Sequence, residues 1–206
     1  MTSWFTVPAI PFALSPSSGS SWRIEAEKVH ILAHPLSDIF VDPGRSNEVN
    51  SGSSLNAVML TGTPPAGDFQ FSARVAVDFR SQFDAGALVV WVDDTNWAKL
   101  CFEYSPSGEK MVVSVVNRGV SDDANAFALS GRSVWLRVCR LDNVLTFHAS
   151  TDGRSWSLVR VFDLAKRTLS AVVGFEAQSP TGDGCNVTFD YISFTTTRLS
   201  NLRDGS

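Results

Sequence analysis

The chain has 206 residues, 44% hydrophobic and 18% charged, with a formal net charge of -4 and a pI near 5.3. That length buries a substantial core, while the acidic balance and the lack of a Lys/Arg cluster argue against a nucleic-acid partner. The longest uninterrupted apolar run, "AGALVVWV" at 85–92, falls far short of the roughly 20 residues of a membrane-spanning helix.

The N-terminal stretch "MTSWFTVPAIPFALSPSSGSS" has no basic leader, and prolines interrupt its apolar part. No signal peptide is read there, and a cytoplasmic location is expected. Strand patterns follow at 22–33 and 55–62. "FQFSARVAVDF", 69–79, then alternates with Phe69, Phe71, Ala73, Val75, Val77 and Phe79 on one face. Further strands are expected at 86–93, 97–105, 111–118, 133–141, 144–150, 156–162, 171–178 and 186–196. Turn signals such as "SPSGE", "STDGRS" and "SPTGDG" separate them. "FDLAKRTL", 162–169, is the one place where a turn or two of helix is expected. Residues 14–21 and 43–54 read as polar loops, and the tail "TTTRLSNLRDGS" as frayed. Many short strands at regular spacing predict an all-β sandwich of two antiparallel sheets. We expect one domain over 1–206 with its core at about 22–196.

Cys101, Cys139 and Cys185 lack C-x-x-C spacing and read as reduced, mostly buried thiols. His30 and His34, if in one strand, stand about 13 Å apart at about 3.3 Å per residue, too far to share a zinc. No metal site is expected from the histidines. No nucleophile elbow, phosphate loop or EF-hand pattern occurs, and "IEAEK" lacks the remaining carboxylates of a jelly-roll glycosidase motif. A carboxylate pair drawn from different strands stays open.

One strand stands out. In "DDTNWAKLCFEYSP", 93–106, Ala98, Leu100, Phe102 and Tyr104 face one way, and Trp97, Lys99, Cys101 and Glu103 the other. An aromatic, a cation and a carboxylate in one row are unlike an ordinary solvated face.

Several separated motifs, in order, resemble the DUF1349 family over about residues 35–196. They are "DFQFSARVAVDF", "DAGALVVWVDDTNWAKLCFEY", "VSDDAN", "VWLRVCRLDNVLTFHASTDGRSWSLVR" and "VVGFEAQSPTGDGCNVTFDYISF". That family includes a fungal protein named for regulation of enolase and has the concanavalin A-like lectin/glucanase sandwich, or jelly roll. The chain is also similar to the accessory domain that follows certain xylosidases. Family positions are matched by Ser37, Asp38 and Phe40, by Gly86, Trp97, Lys99, Glu103 and Tyr104, and by Ser121 and Asp122. Arg137, Asp152, Gly153, Trp156 and Arg160 complete the match, whereas "SDDANAF" lacks the Trp usual after the Ser-Asp pair.

The resemblance implies a concave sheet whose outer face is the customary carbohydrate site. With Leu88, Val90, Val92, Leu100, Phe102, Leu136 and Val138 in the core, that face is expected to carry Trp91, Trp97, Lys99, Glu103 and Arg137. Glu176 and Gln178 join them, and Asp122 adds a contact from the adjoining loop. Aromatic faces stack on sugar rings while Lys, Glu and Arg orient a ligand. The same set also fits a cross-strand ladder under a Trp lid. Asp152-Gly153 reads as a hairpin turn with Trp156 beside it. Asp38, Asp122 and Asp190 lie next to turns, where calcium ligation and turn capping both fit. Three functions follow: a sugar- or small-molecule-binding sandwich; an enzyme on a polyhydroxylated metabolite, with Glu103 or Glu176 as general base and Lys99 or Arg137 stabilising negative charge; or a module that binds a protein partner.

Overall fold

The period-2 alternation of apolar side chains builds two sheets that close on each other. The computed structural model describes residues 4–44, 53–164 and 168–206. In chain order the strands are β1 (Ser15–Pro16), β2 (Arg23–Glu25), β3 (Lys28–Leu32), β4 (Ile39–Phe40), β5 (Ser54–Leu55), β6 (Val58–Gly62), β7 (Phe69–Val77) and β8 (Ala85–Asp93). They continue with β9 (Asn96–Tyr104), β10 (Lys110–Arg118), β11 (Ser121–Leu129), β12 (Ser133–Leu141), β13 (Val144–Ser150), β14 (Ser157–Phe162), β15 (Val172–Gln178) and β16 (Asn186–Thr195). The first antiparallel sheet has the order β1-β6-β15-β8-β9-β10-β11, the second β14-β13-β12-β7-β16-β3-β2, and β4 pairs with β5 alone.

The core lies between the two sheets. Leu88, Val90, Ala98, Leu100, Phe102 and Phe175 of the first meet Phe71, Ala73, Val75, Leu136, Val138 and Phe189 of the second. Phe175 makes an edge contact with Phe71 at 5.3 Å and a tilted one with Phe189 at 4.7 Å. Burying each such side chain contributes on the order of 1.5–3 kcal/mol. Gly86 explains itself here, because a Cβ would collide with Val187 and Val75 of the facing sheet. This is a concanavalin A-like β-sandwich, as expected. No helix among the described residues is long and apolar enough to cross a membrane.

Local differences have local causes. The expected 22–33 strand is the β2–β3 hairpin, broken at Ala26 with φ 53°. β11 was not expected, because "SDDANAFAL" is mostly exposed along an edge and sets large apolar residues against the core only at its end, Phe127 and Leu129. The core reaches further toward the N-terminus than residue 22, through buried Val7, Ile10 and Leu14. Of the expected helical turn, Thr168–Ser170 forms a single 3-10 turn and 165–167 lie outside the described residues, as does most of the 43–54 loop.

The tail does not fray. Arg198 bridges to Asp142 at 3.0 Å and also pairs with Asp68, Leu199 is buried against Cys139 and Leu141, and the carbonyls of Leu202 and Gly205 accept hydrogen bonds from the second sheet. Those polar and apolar contacts supply what a loose end would lack.

Candidate functional site

Inward Ala98, Leu100 and Phe102 leave Trp97, Lys99, Cys101 and Glu103 on the outer face of β9, and inward Phe175 and Ala177 do the same for Glu176 and Gln178 on β15. Cross-strand register sets Val89, Lys99, Val115 and Asp123 in one row from β8 to β11. The β4–β5 ribbon crosses part of this face. Its start is tied to the end of β15 by reciprocal Ser37–Ser179 backbone bonds of 3.2 and 3.1 Å. Its far side is tied to β11, where Ser121 N donates to Val41 O at 2.8 Å and Val41 N to Ser121 Oγ at 2.9 Å. Asp38, on the ribbon, therefore hangs over Lys99.

Lys99 is 2% exposed. Its Nζ donates to Asp38 Oδ1 at 3.0 Å and to Gln178 Oε1 at 2.5 Å, while Gln178 Nε2 donates to Phe83 O at 3.2 Å. Burial works against the ammonium, but Asp38 and Glu176, then Cys101 and Glu103, outweigh it and hold its pKa above the ordinary lysine value. Glu176 is fully buried, and neither of its carboxyl oxygens has a hydrogen-bond partner. Burial pushes it up to about 8 against the pull of Lys99. Burial likewise lifts Glu103 to about 8, opposed by Lys99 and reinforced by Asp123, Asp38 and Glu176.

Beside this cluster opens a pocket of about 490 Å³, a volume typical of small-molecule sites. The sheet contributes Lys99, Glu103, Val115, Asp123 and Gln178 to its walls, and the ribbon Asp38, Phe40 and Ser54. The rim is completed by Leu36, Phe83, Pro180 and Thr181. Leu36 (φ 53°) and Phe83 (φ 66°) both adopt left-handed backbone conformations, which for such residues cost on the order of 1–3 kcal/mol and cluster at functional sites. Buried Asp84 holds the Phe83 loop, accepting Arg80 N and Ser81 N at 2.9 Å and Ser179 Oγ at 2.6 Å.

The structure thus brings Lys99, Glu103, Glu176 and Gln178 together and separates the other expected members. Trp97 is fully buried, stacked on Trp91 at 5.9 Å and packed with Ile39, Ala57 and Val115, so it anchors the ribbon and offers no open platform. Trp91 packs against the same cluster and does not line the pocket. Arg137 is not part of the site: β12 pairs with β7 and β13 in the second sheet, where Arg137 lies 4.1 Å over Trp156 and donates to Gly205 O at 2.7 Å. Asp122 pairs with Arg160 at 2.9 Å, and Asp123 takes the pocket position. The expected Lys–Glu–Arg ladder does not form, since the lysine's counter-ion comes from the ribbon.

Asp38, Asp122 and Asp190 are held by Lys99, Arg160 and Arg74 respectively and are not brought together. Asp152 behaves as the turn residue expected, accepting Ser155 N and Arg154 N at 2.8 Å, which draws its pKa down to about 2. Asp38 as a site residue, Asp123, Phe40, Phe83 and Thr181 were missed. For Asp38 a signal existed in "LSDIF", but the crossing of the ribbon over β9 is a tertiary fact. For Asp123, only the irregular β10–β11 register, which shifts between Val112 and Val113, shows which of two adjacent aspartates shares the row of Lys99.

Fold and site together define a concanavalin A-like sandwich with a polar outer-face pocket built around one buried lysine. The chain belongs to the family described as protein of unknown function (DUF1349), whose profile matches residues 17–197. It is 33% identical over 183 residues to Regulation of enolase protein 1 of Saccharomyces cerevisiae (strain ATCC 204508 / S288c), covering 87% of each chain. A crystal structure of a functionally unknown protein from Saccharomyces cerevisiae is similar at a TM-score of 0.75 and 27% identity, covering 96% of this chain and 97% of that one. The GH43 BlXynB protein from Bacillus licheniformis is similar in fold at 0.70 and 13% identity, over 90% of this chain and 37% of that one.

Proposed function

We propose that the protein binds a small sugar or sugar-like polyol in the pocket on the outer face of the first sheet. The observation that carries this reading is the fixed polar wall. Lys99, Asp38 and Gln178 brace one another on a rigid sheet, and Glu103 stands beside them in a pocket of about 490 Å³ that also has Phe40 and Phe83 in its walls. Such a site offers aromatic surface for a sugar ring and preset acceptors for its hydroxyls. The shared fold with a GH43 protein is in keeping with this. A cytoplasmic setting is part of the proposal, supported by three free, buried cysteines.

A panel of sugars and polyols screened by thermal melts, with calorimetry on any hit, tests it. A true ligand raises the melting temperature of the natural protein, and Glu103→Gln diminishes that shift while retaining the fold. An undiminished shift in the variant would place the ligand elsewhere.

One observation favours a second reading. Glu103, half-buried in the pocket wall and lifted to about 8 by burial against the pull of Lys99, has the poise of a general acid or base at neutral pH. Turnover of a bound sugar, lost in Glu103→Gln with binding retained, would make the protein an enzyme.

A further inference from the structure

The donors and acceptors of the pocket do not balance. Among the described residues Lys99 contributes the cation there, yet it is almost wholly buried and spends two of its three N–H donors on Asp38 and Gln178. Gln178 has both ends of its amide engaged, by Lys99 and by Phe83 O. The two wall hydroxyls donate inward, Ser54 Oγ to Asn56 Oδ1 at 2.6 Å and Thr181 Oγ1 to Gln82 O at 2.7 Å. They turn lone pairs, not protons, toward the space. Asp38, Glu103 and Asp123 add carboxyl oxygens, and just beneath them Glu176 holds two more that no protein group satisfies. Among the described residues, four acidic side chains therefore surround one lysine whose charge Asp38 already offsets. Among the described residues no arginine lines the pocket. Arg137 belongs to the other sheet, and Arg160 is bound to Asp122.

Glu103 and Glu176, lifted to about 8, largely hold their protons near neutral pH. An arriving cation displaces such a proton and gains a carboxylate, whereas an arriving anion meets a lysine already offset by Asp38. Resting on the sugar-pocket reading, we propose that the ligand carries a protonated amine, as an amino sugar or aminopolyol does, placed against the carboxyls of Glu103, Asp123 and Asp38. Uronic acids and sugar phosphates are excluded, because they would bring a second set of acceptors and an unpartnered negative charge. Lys99 then serves as an internal spacer. It keeps Asp38 and Gln178 in place, with its charge already offset by Asp38.

Glu103 faces Lys99 and Cys101 on its own strand, Asp123 from β11, Asp38 from the ribbon and Glu176 from β15. An incoming ammonium supplies the counter-charge this group lacks, so binding releases a proton from Glu103 and tightens as pH rises from 6 toward 8.

The test uses the full chain and matched triplets: a series of neutral mono- and disaccharides, each with its amino and its uronic acid counterpart, titrated by calorimetry at constant ionic strength. The expected result is that an amino member binds at least tenfold tighter than its neutral counterpart and that no uronate binds. The double substitution Glu103→Asn with Asp123→Asn should erase the preference for the amine. Equal or tighter binding of a neutral sugar or a uronate overturns the inference while leaving a sugar site standing. So does an amine preference that survives the double substitution. Silence from every member of every triplet overturns the sugar reading itself.

Discussion

On the outer face of the second sheet, Arg137 is stacked over Trp156 and donates to Gly205 O, His148 Nε2 lies 2.8 Å from Leu202 O, and Arg74 is chelated by Asp190 at 2.7 and 2.8 Å. On the outer face of the first, a lysine and several acids are gathered as closely, yet Glu176 has no partner for either oxygen and a pocket opens beside it. Both faces carry charges and aromatics. The second uses them to close its surface, with the C-terminal residues as the covering layer. The second does leave single atoms unpartnered, Arg137 Nε and Thr146 Oγ1, and each face has left-handed residues, Asp142 and Tyr191 there and Leu36 and Phe83 here. The first differs in leaving both oxygens of a whole carboxyl, Glu176, unsatisfied under a ribbon beside a pocket. Unspent hydrogen-bonding capacity next to a cavity distinguishes a site from a brace, because burying such groups without partners costs stability that ordinary packing would avoid.

Removing the cation is the strongest way to break this contrast. Lys99→Met leaves the Asp38 carboxylate on the ribbon, 23% exposed, without its counter-ion and empties a buried polar position. Breaking a fully buried pair costs about 3–5 kcal/mol, and this part-exposed one about 2–4 kcal/mol. A fall in chemical-denaturation stability of that size is expected, with loss of the pocket. A fall below about 1 kcal/mol would mean that the pair is far better solvated than the 2% exposure of Lys99 implies.

The second face should respond differently. Deleting residues 198–206 takes the carbonyl acceptors from Arg137 and His148 and uncovers Leu141, an expected cost of about 1–3 kcal/mol. Pocket binding should be unchanged, since none of these groups reaches the first sheet. A truncated protein of full stability would show that the tail is not a covering layer.

Glu176 sharpens the comparison through pH. Its folded pKa, about 8, lies above the ordinary 4.5. The folded state therefore holds a proton that the unfolded chain releases, and stability is greatest below about 4.5 and declines as pH rises to about 8. Glu103 works in the same direction. Glu176→Gln should flatten the decline and be the more stable protein at pH 8 by more than about 1 kcal/mol. Parallel stability profiles for variant and natural protein between pH 5 and 8 would show that Glu176 is not held neutral.

Legibility from sequence divides along the same line. Alternation in "FQFSARVAVDF" and "NWAKLCFEY" is a local property, so the sandwich, its core and the outward placing of Lys99, Glu103, Glu176 and Gln178 could be read directly. Which sheet a strand joins is not local. Arg137 has the right parity on β12 but the wrong partners, and Trp97 has the right parity on β9 but lies beneath a ribbon contributed from sixty residues away. The edge strand β11 was invisible for a related reason: it buries little, and only Phe127 and Leu129 at its end are large apolar residues on a common face.

The smallest stability effect belongs to Glu103→Gln, and it tests function most directly. Glu103 reaches the pocket, and near neutral pH its carboxyl is largely protonated, so an amide of the same shape replaces a group of nearly the same charge. Stability at pH 7 should change by about 0.5 kcal/mol or less. Ligand binding should not be so forgiving. The acid can surrender its proton to meet a donor or a cation, whereas the amide cannot become an anion and places an N–H where a lone pair is needed. At pH 8, where the natural carboxyl is half ionised, the variant should bind at least tenfold more weakly with its melt intact. If stability and binding instead fall together in proportion to the folded fraction, Glu103 is one more brace, and the first face differs from the second only in being less well packed.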